Sequence, residues 1–154
     1  MGKFTQAVAG TLACALAVTS IPASADVITS NAEAVRKLDI MLMVTSLRCR
    51  TTADNFQADY QRFSSLHLSD LNLASRTLQA QLVHSHGAQG AKRALDKIST
   101  GMANEYGQGH PWLGCSQLKQ AARALARDKD ADHLASAAKE LLSRSPRGQW
   151  AMAN

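Results

Sequence analysis

The chain has 154 residues, a formal charge of +5 and only 5% aromatic residues. That length is about the size of one ordinary domain, enough to bury a core without several cross-links. The charge is mild, so a polyanionic partner is permitted but not demanded, and no nucleic acid is expected of a chain bound for export.

From Phe4 to Ala25 there is no charged residue, and Lys3 stands just before this run. Ala7 to Val18 is moderately apolar, Pro22 breaks the run, and Ala23-Ser24-Ala25 has the small-x-small form of a cleavage site. This order predicts a secretory signal peptide over residues 1–25, cut between Ala25 and Asp26, and hence a periplasmic or secreted mature protein. A retained membrane span is the rival reading. It suffers from the Ala, Thr and Ser content and from a core shorter than the roughly 20 apolar residues a span needs. Cys14 follows Thr11-Leu12-Ala13, which approaches a lipid-attachment motif but lacks its branched aliphatic residue.

Removing 25 of the 154 residues leaves 129, with 16 basic and 12 acidic side chains once Lys3 is gone, a charge of +4. The expected organisation is one helical domain over residues 26–143 and a loose tail over residues 144–154, marked by Pro146 and Gly148, with Trp150 able to dock back. Strand-like alternation is absent and Ala, Leu, Gln, Lys and Arg dominate, so the expected fold is all-α: five or six short helices around an apolar first helix.

Ser30 and Glu33 form a capping box that predicts the start of the first helix. Val35, Leu38, Leu42, Thr45 and Cys49 fall on one stripe, and Ile40 to Val44 is apolar on every face, as a surrounded helix should be. After a break at Arg50–Thr52, with Thr52 or Asp54 as cap, Phe56, Tyr60 and Phe63 give the second helix an aromatic stripe. Ser69 or Asp70 is placed to cap a third helix, although no Gly or Pro enforces that boundary. Its stripe is Leu71, Ala74, Leu78 and Leu82, and Gly87 is a natural stop.

A fourth helix should start at Ala88 or Ala91, carry Ala94, Leu95, Ile98, Met102 and Tyr106 inward, and end at Gly107. Pro111 suits the first turn of the next helix, whose apolar face is Cys115, Leu118, Ala122 and Leu125. Asp130 or Asp132 should cap the last helix, with Leu134, Ala137, Ala138 and Leu141 buried.

The segment 107–115 concentrates three of the nine glycines, one of the three prolines and one of the two tryptophans. Cys49 and Cys115 are the even pair left after cleavage, and in an oxidising compartment they should form one disulfide. Two buried free thiols are the alternative, and nothing marks either as a reactive thiolate.

Among the five histidines, His84, His86 and His110, with His67 or Glu105, invite a metal reading. Residues two apart on a helix diverge, however, and no His-Glu-x-x-His or Cys-x-x-Cys pattern is present. The plainer reading is helix-end histidines, so neither a metal nor a cofactor is expected. Glu105, beside the aromatic turn, is the weak candidate for a general acid if apolar surroundings raise its pKa.

Tyr106, His110 and Trp112 are binding candidates at the turn. Lys119, Arg123 and Arg127 recur every fourth residue and form a basic stripe that Lys139, Arg144 and Arg147 could extend. The plainer alternatives are a buried Trp112 and a solvated basic face.

The stretches from Leu38 to Arg50, from Met102 to Gly107, and His110-Pro111-Trp112-Leu113-x-Cys115 resemble a group of small exported alphaproteobacterial proteins. The likeness runs from about Lys37 to Ala126 and implies a bacterial, exported protein. Some members bear the name S-adenosyl-L-homocysteine hydrolase. This chain lacks the glycine-rich strand-turn-helix of a dinucleotide-dependent enzyme, and the name does not fit it. The sequence expectation is a non-enzymatic binding protein of the cell envelope, meeting an envelope protein or an anionic envelope surface. A small hydrolase of envelope glycan using Glu105 is the alternative.

Overall fold

A computed structural model describes residues 23–143, with side chains from Asp26 onward. The apolar part of the expected signal peptide and the tail with Arg144, Arg147 and Trp150 lie outside the described residues. Five α-helices form the bundle: α1 Ala23–Arg48, α2 Gln57–Leu66, α3 Leu68–Glu105, α4 Cys115–Leu125 and α5 Ala131–Leu142. A 3-10 turn, Cys49–Thr51, follows α1. No strand occurs among the described residues.

Helix α1 touches all four other helices. The stripe read from the sequence is the one buried, with Leu38 and Leu42 fully covered and Val35, Thr45 and Cys49 nearly so. Thr45 hides its hydroxyl by donating to the Met41 carbonyl at 2.7 Å, which meets the need of a buried polar group for a partner. The expectation of a helix covered all round needs correction. Met43 and Leu47, four residues apart, are both exposed, so one narrow strip of α1 faces outward.

The start of α1 also differs from expectation. Ser30 lies well inside the helix, which begins at Ala23. With no Gly or Pro between Ala23 and Ser30, helix propagation continues past the capping box rather than stopping at it. Asp26 lies in the first turn, where a carboxylate favours the helix dipole.

Helix α2 starts later than predicted. Thr52 and Asp54 belong to the preceding turn, where the Thr52 hydroxyl donates to the Cys49 carbonyl at 2.8 Å. Asn55 accepts from the Gln57 N–H at 3.0 Å and serves the helix end instead. The boundary between α2 and α3 falls at His67, not at Ser69 or Asp70.

Helix α3 is two helical pieces joined through Gly87, whose φ of 66° is open to glycine at little cost. Leu71, Ala74 and Leu78 of the first piece, and Ala91, Leu95 and Met102 of the second, are buried. Ile98, expected inside, is 42% exposed. Both pieces reach α1: Gln81 hydrogen-bonds Thr29, Arg36 reaches Ser99 and Lys37 pairs with Glu105.

Helix α4 opens at Cys115 with Gly114 before it, so Pro111 lies in the turn and not in the first helical turn. The Gly114 N–H donates to the Gln117 side chain at 3.0 Å. Asp130, one of the two caps expected, closes the start of α5 by accepting from the Asp132 and His133 N–H groups. The disulfide expected from the sequence is present. Cys49 and Cys115 are bonded, with their Cα atoms 5.8 Å apart.

Candidate functional site

The glycine-rich turn is built like a latch. Tyr106 ends α3 and is buried to 2% exposure. Its carbonyl accepts the Gly109 N–H at 2.9 Å. Gly109 has φ 106°, a conformation that calls for glycine, and a Cβ there would sit 3.3 Å from the Arg48 Nε, so the arginine side chain would have to shift as well. The Arg48 guanidinium reaches the Gly107 carbonyl at 3.5 Å.

His110 then uses both ring nitrogens inside the protein. Nε2–H donates to the Leu141 carbonyl near the end of α5 at 3.0 Å. Nδ1 accepts the Leu113 N–H at 3.2 Å and a longer contact from the Trp112 N–H. These partners fix the neutral tautomer. Burial, opposed by the Leu141 hydrogen bond and the Glu105 charge, holds the imidazole below its ordinary 6.5. The His110 ring stacks on Tyr106 and meets Trp112 edge-on, with centroids 5.8 and 5.0 Å apart. Trp112 is half-buried against the core, and its buried indole N–H has no partner.

Tyr106 is therefore a core residue and His110 a helix-end brace, not exposed binding groups. The basic stripe is also largely engaged. Lys119 donates to the Ala53 carbonyl at 3.2 Å and lies 3.7 Å from Asp54. Arg123 pairs with the buried Asp59 carboxylate at 3.0 Å, so it ties α4 to α2. Arg127 is exposed. The stripe is thus not a continuous docking face.

Glu105 departs from the expectation in its environment. It is about half-exposed and pairs with Lys37 at 2.7 Å, the opposite of the apolar setting that makes a carboxyl a general acid near neutrality. His84 and His86 are exposed. His67 is fully buried, with Nε2–H donating to the Leu125 carbonyl at 3.1 Å and Nδ1 3.3 Å from Asp70. Two histidines thus brace the C-terminal ends of α4 and α5. Among the described residues no group of three or more His, Cys, Asp or Glu side chains converges as a metal site would require.

The arrangement that sequence reasoning missed lies between α1, α2 and the first piece of α3. A pocket of about 260 Å³ opens there, lined by Arg36, Asp39, Tyr60, Leu68 and Leu71, with Ser64, Ser65, Asn72 and Ser75 at its polar wall. The Tyr60 hydroxyl donates to Asp39 Oδ1 at 3.1 Å, and Arg36 Nη1 lies 3.5 Å from Asp39 Oδ2. Arg36 Nη2 reaches Ser99 at 3.4 Å, while its buried Nε has no partner.

Burial raises the Asp39 pKa, with the Tyr60 hydrogen bond and Arg36 opposing. Burial and then the Asp39 charge push the Tyr60 phenol far above its usual range. Arg36 and Asp39 stand three apart in the sequence, a spacing typical of ordinary helix-surface pairs, and nothing local ties them to Tyr60 or Ser75.

No protein-family model matches the chain, and neither does any curated protein or solved structure.

Proposed function

We propose that the protein is an exported, periplasmic or secreted binding protein of the cell envelope that acts by recognition rather than by catalysing a reaction. The observation that carries this reading is the Cys49–Cys115 bridge, which joins the end of α1 to the start of α4. Such a bridge persists in oxidising compartments, and it agrees with the charge-free run and Ala23-Ser24-Ala25 site of the sequence. It also fastens a frame whose polar groups largely brace one helix against another, as befits a fixed recognition surface.

No feature at Glu105 favours the glycan-hydrolase reading, because its carboxylate is held by a cation and open to water. With Lys119 and Arg123 engaged internally, a partner protein or a small ligand is a better match than a broad anionic surface.

The test is the intact mass of protein recovered from the envelope or medium of expressing cells, with and without reduction and alkylation. A chain starting at Asp26 with no alkylatable thiol before reduction supports the proposal. A chain that retains residues 1–25, or has two free thiols at Cys49 and Cys115, contradicts it.

A further inference from the structure

We propose that the pocket between α1, α2 and α3 binds a small sugar carboxylate, a monosaccharide of the uronic acid class, with Arg36 taking the carboxylate and the serine-asparagine wall taking the hydroxyls. This rests on the reading of the protein as a binder and names the ligand class and the place.

The argument is an accounting of donors and acceptors. Arginine carries five N–H donors in a planar fork and no acceptor. Here Nε is buried without a partner, and the two terminal nitrogens have contacts of 3.5 and 3.4 Å. Those are long beside the roughly 2.9 Å of a good N–H···O bond.

Asp39 stands beside the guanidinium. One oxygen takes the Tyr60 hydroxyl and the other faces Arg36. The four N–H groups on the two terminal nitrogens meet only those two long contacts, so Arg36 can turn donors to a ligand rich in acceptors. A carboxylate fits the planar fork two-point.

The wall sets the rest of the ligand. Ser65, Asn72 and Ser75 each both donate and accept, and Ser64, whose hydroxyl donates to the Gln61 carbonyl at 3.2 Å, can still accept, which is the complement of a set of hydroxyl groups. Leu68 and Leu71 supply an apolar flank for the C–H face of a ring. At about 260 Å³ the pocket lies below the span of roughly 300–1,000 Å³ typical of drug-sized ligands, a volume suited to one sugar ring rather than an oligosaccharide.

The experiment is calorimetric titration of the disulfide-closed protein with galacturonate, galactose and inorganic phosphate. Galacturonate should bind saturably, and both galactose and phosphate should bind at least about tenfold more weakly. Arg36→Lys keeps the charge but loses the fork, and should weaken galacturonate at least about tenfold. Asn72 is exposed on α3, so Asn72→Ala should fold normally and weaken binding by about three- to tenfold.

If Arg36→Lys does not fold, Asn72→Ala and Ser65→Ala decide the matter. No saturable galacturonate binding, phosphate binding as tight as galacturonate, or galacturonate binding that no folded variant weakens would each overturn the site. A mature, disulfide-closed chain from the envelope that ignores galacturonate overturns this inference and leaves the exported binder standing. A chain with its leader and free thiols intact contradicts the export reading instead.

Discussion

The turn at 106–115 and the pocket at Arg36 are both polar and aromatic clusters beside α1, yet their hydrogen-bonding groups are used differently. In the turn, His110 serves the Leu141 carbonyl on one side and the Leu113 N–H on the other, and Tyr106 is buried beneath it. In the pocket, the terminal nitrogens of Arg36 make only contacts of 3.4 and 3.5 Å, and a polar wall stands open to solvent. Glycine, tryptophan and cysteine mark a place where a chain must be shaped, whereas accessible and weakly engaged donors mark a place with capacity for another molecule.

If the turn is a latch, the largest effect should come from its covalent bond. The bridge closes a separation of 66 residues, so replacing both Cys49 and Cys115 by Ala should cost about 4 kcal/mol in the chain-entropy account. Denaturant unfolding measures this. A loss below about 1 kcal/mol would mean that the turn is held by its other contacts and that the bridge adds little.

A smaller effect separates structural from free cations on the same helix. Arg123→Ala leaves the buried Asp59 with only Arg62, at 3.6 Å, and should cost about 1–2 kcal/mol. Arg127→Ala should stay within about 0.5 kcal/mol of the parent. Equal losses at the two positions would restore the stripe as a uniform solvated face.

The smallest effect is a pH slope. The unfolded His110 imidazole takes up a proton near 6.5, while the folded one resists it. Its contribution is therefore full above about pH 6.5 and is lost as the pH falls below that value. His133 opposes this slope. Asp128 and its neighbours raise the pKa of that exposed ring, so its contribution is present at low pH and fades as the pH rises through its raised value. The informative quantity is the stability of the parent minus that of His110→Gln, which should shrink between about pH 7.5 and 5. A pH-independent difference would remove His110 from the latch.

Much of this fold was legible in the sequence because a helix writes its buried face at fixed spacing. The stripes Val35–Leu38–Leu42–Thr45 and Leu71–Ala74–Leu78 are buried as read. So was the pairing of Cys49 with Cys115, the even pair that remains once Cys14 is set aside. Helix starts were less legible. Propagation from Ala23 ran through the Ser30 capping box, and His67 took a boundary that Ser69 or Asp70 was expected to hold.

The candidate site was least legible. Lys119 and Arg123 look like a free stripe until Ala53 and Asp59 arrive from α2 and the turn before it. Tyr106 looks like a contact residue until α3 carries it inward. Arg36, Tyr60 and Ser75 meet only through tertiary packing, which leaves no local pattern to read.

The most direct test of the central claim, that recognition lies at the Arg36 pocket and not at the aromatic turn, is a backbone amide NMR titration of the mature protein with galacturonate. The account predicts saturable shifts centred on Arg36, Asp39, Tyr60, Ser64, Asn72 and Ser75, with the amides of residues 106–115 and Arg127 unmoved. Shifts centred on residues 106–115, or none at saturating galacturonate, would contradict it.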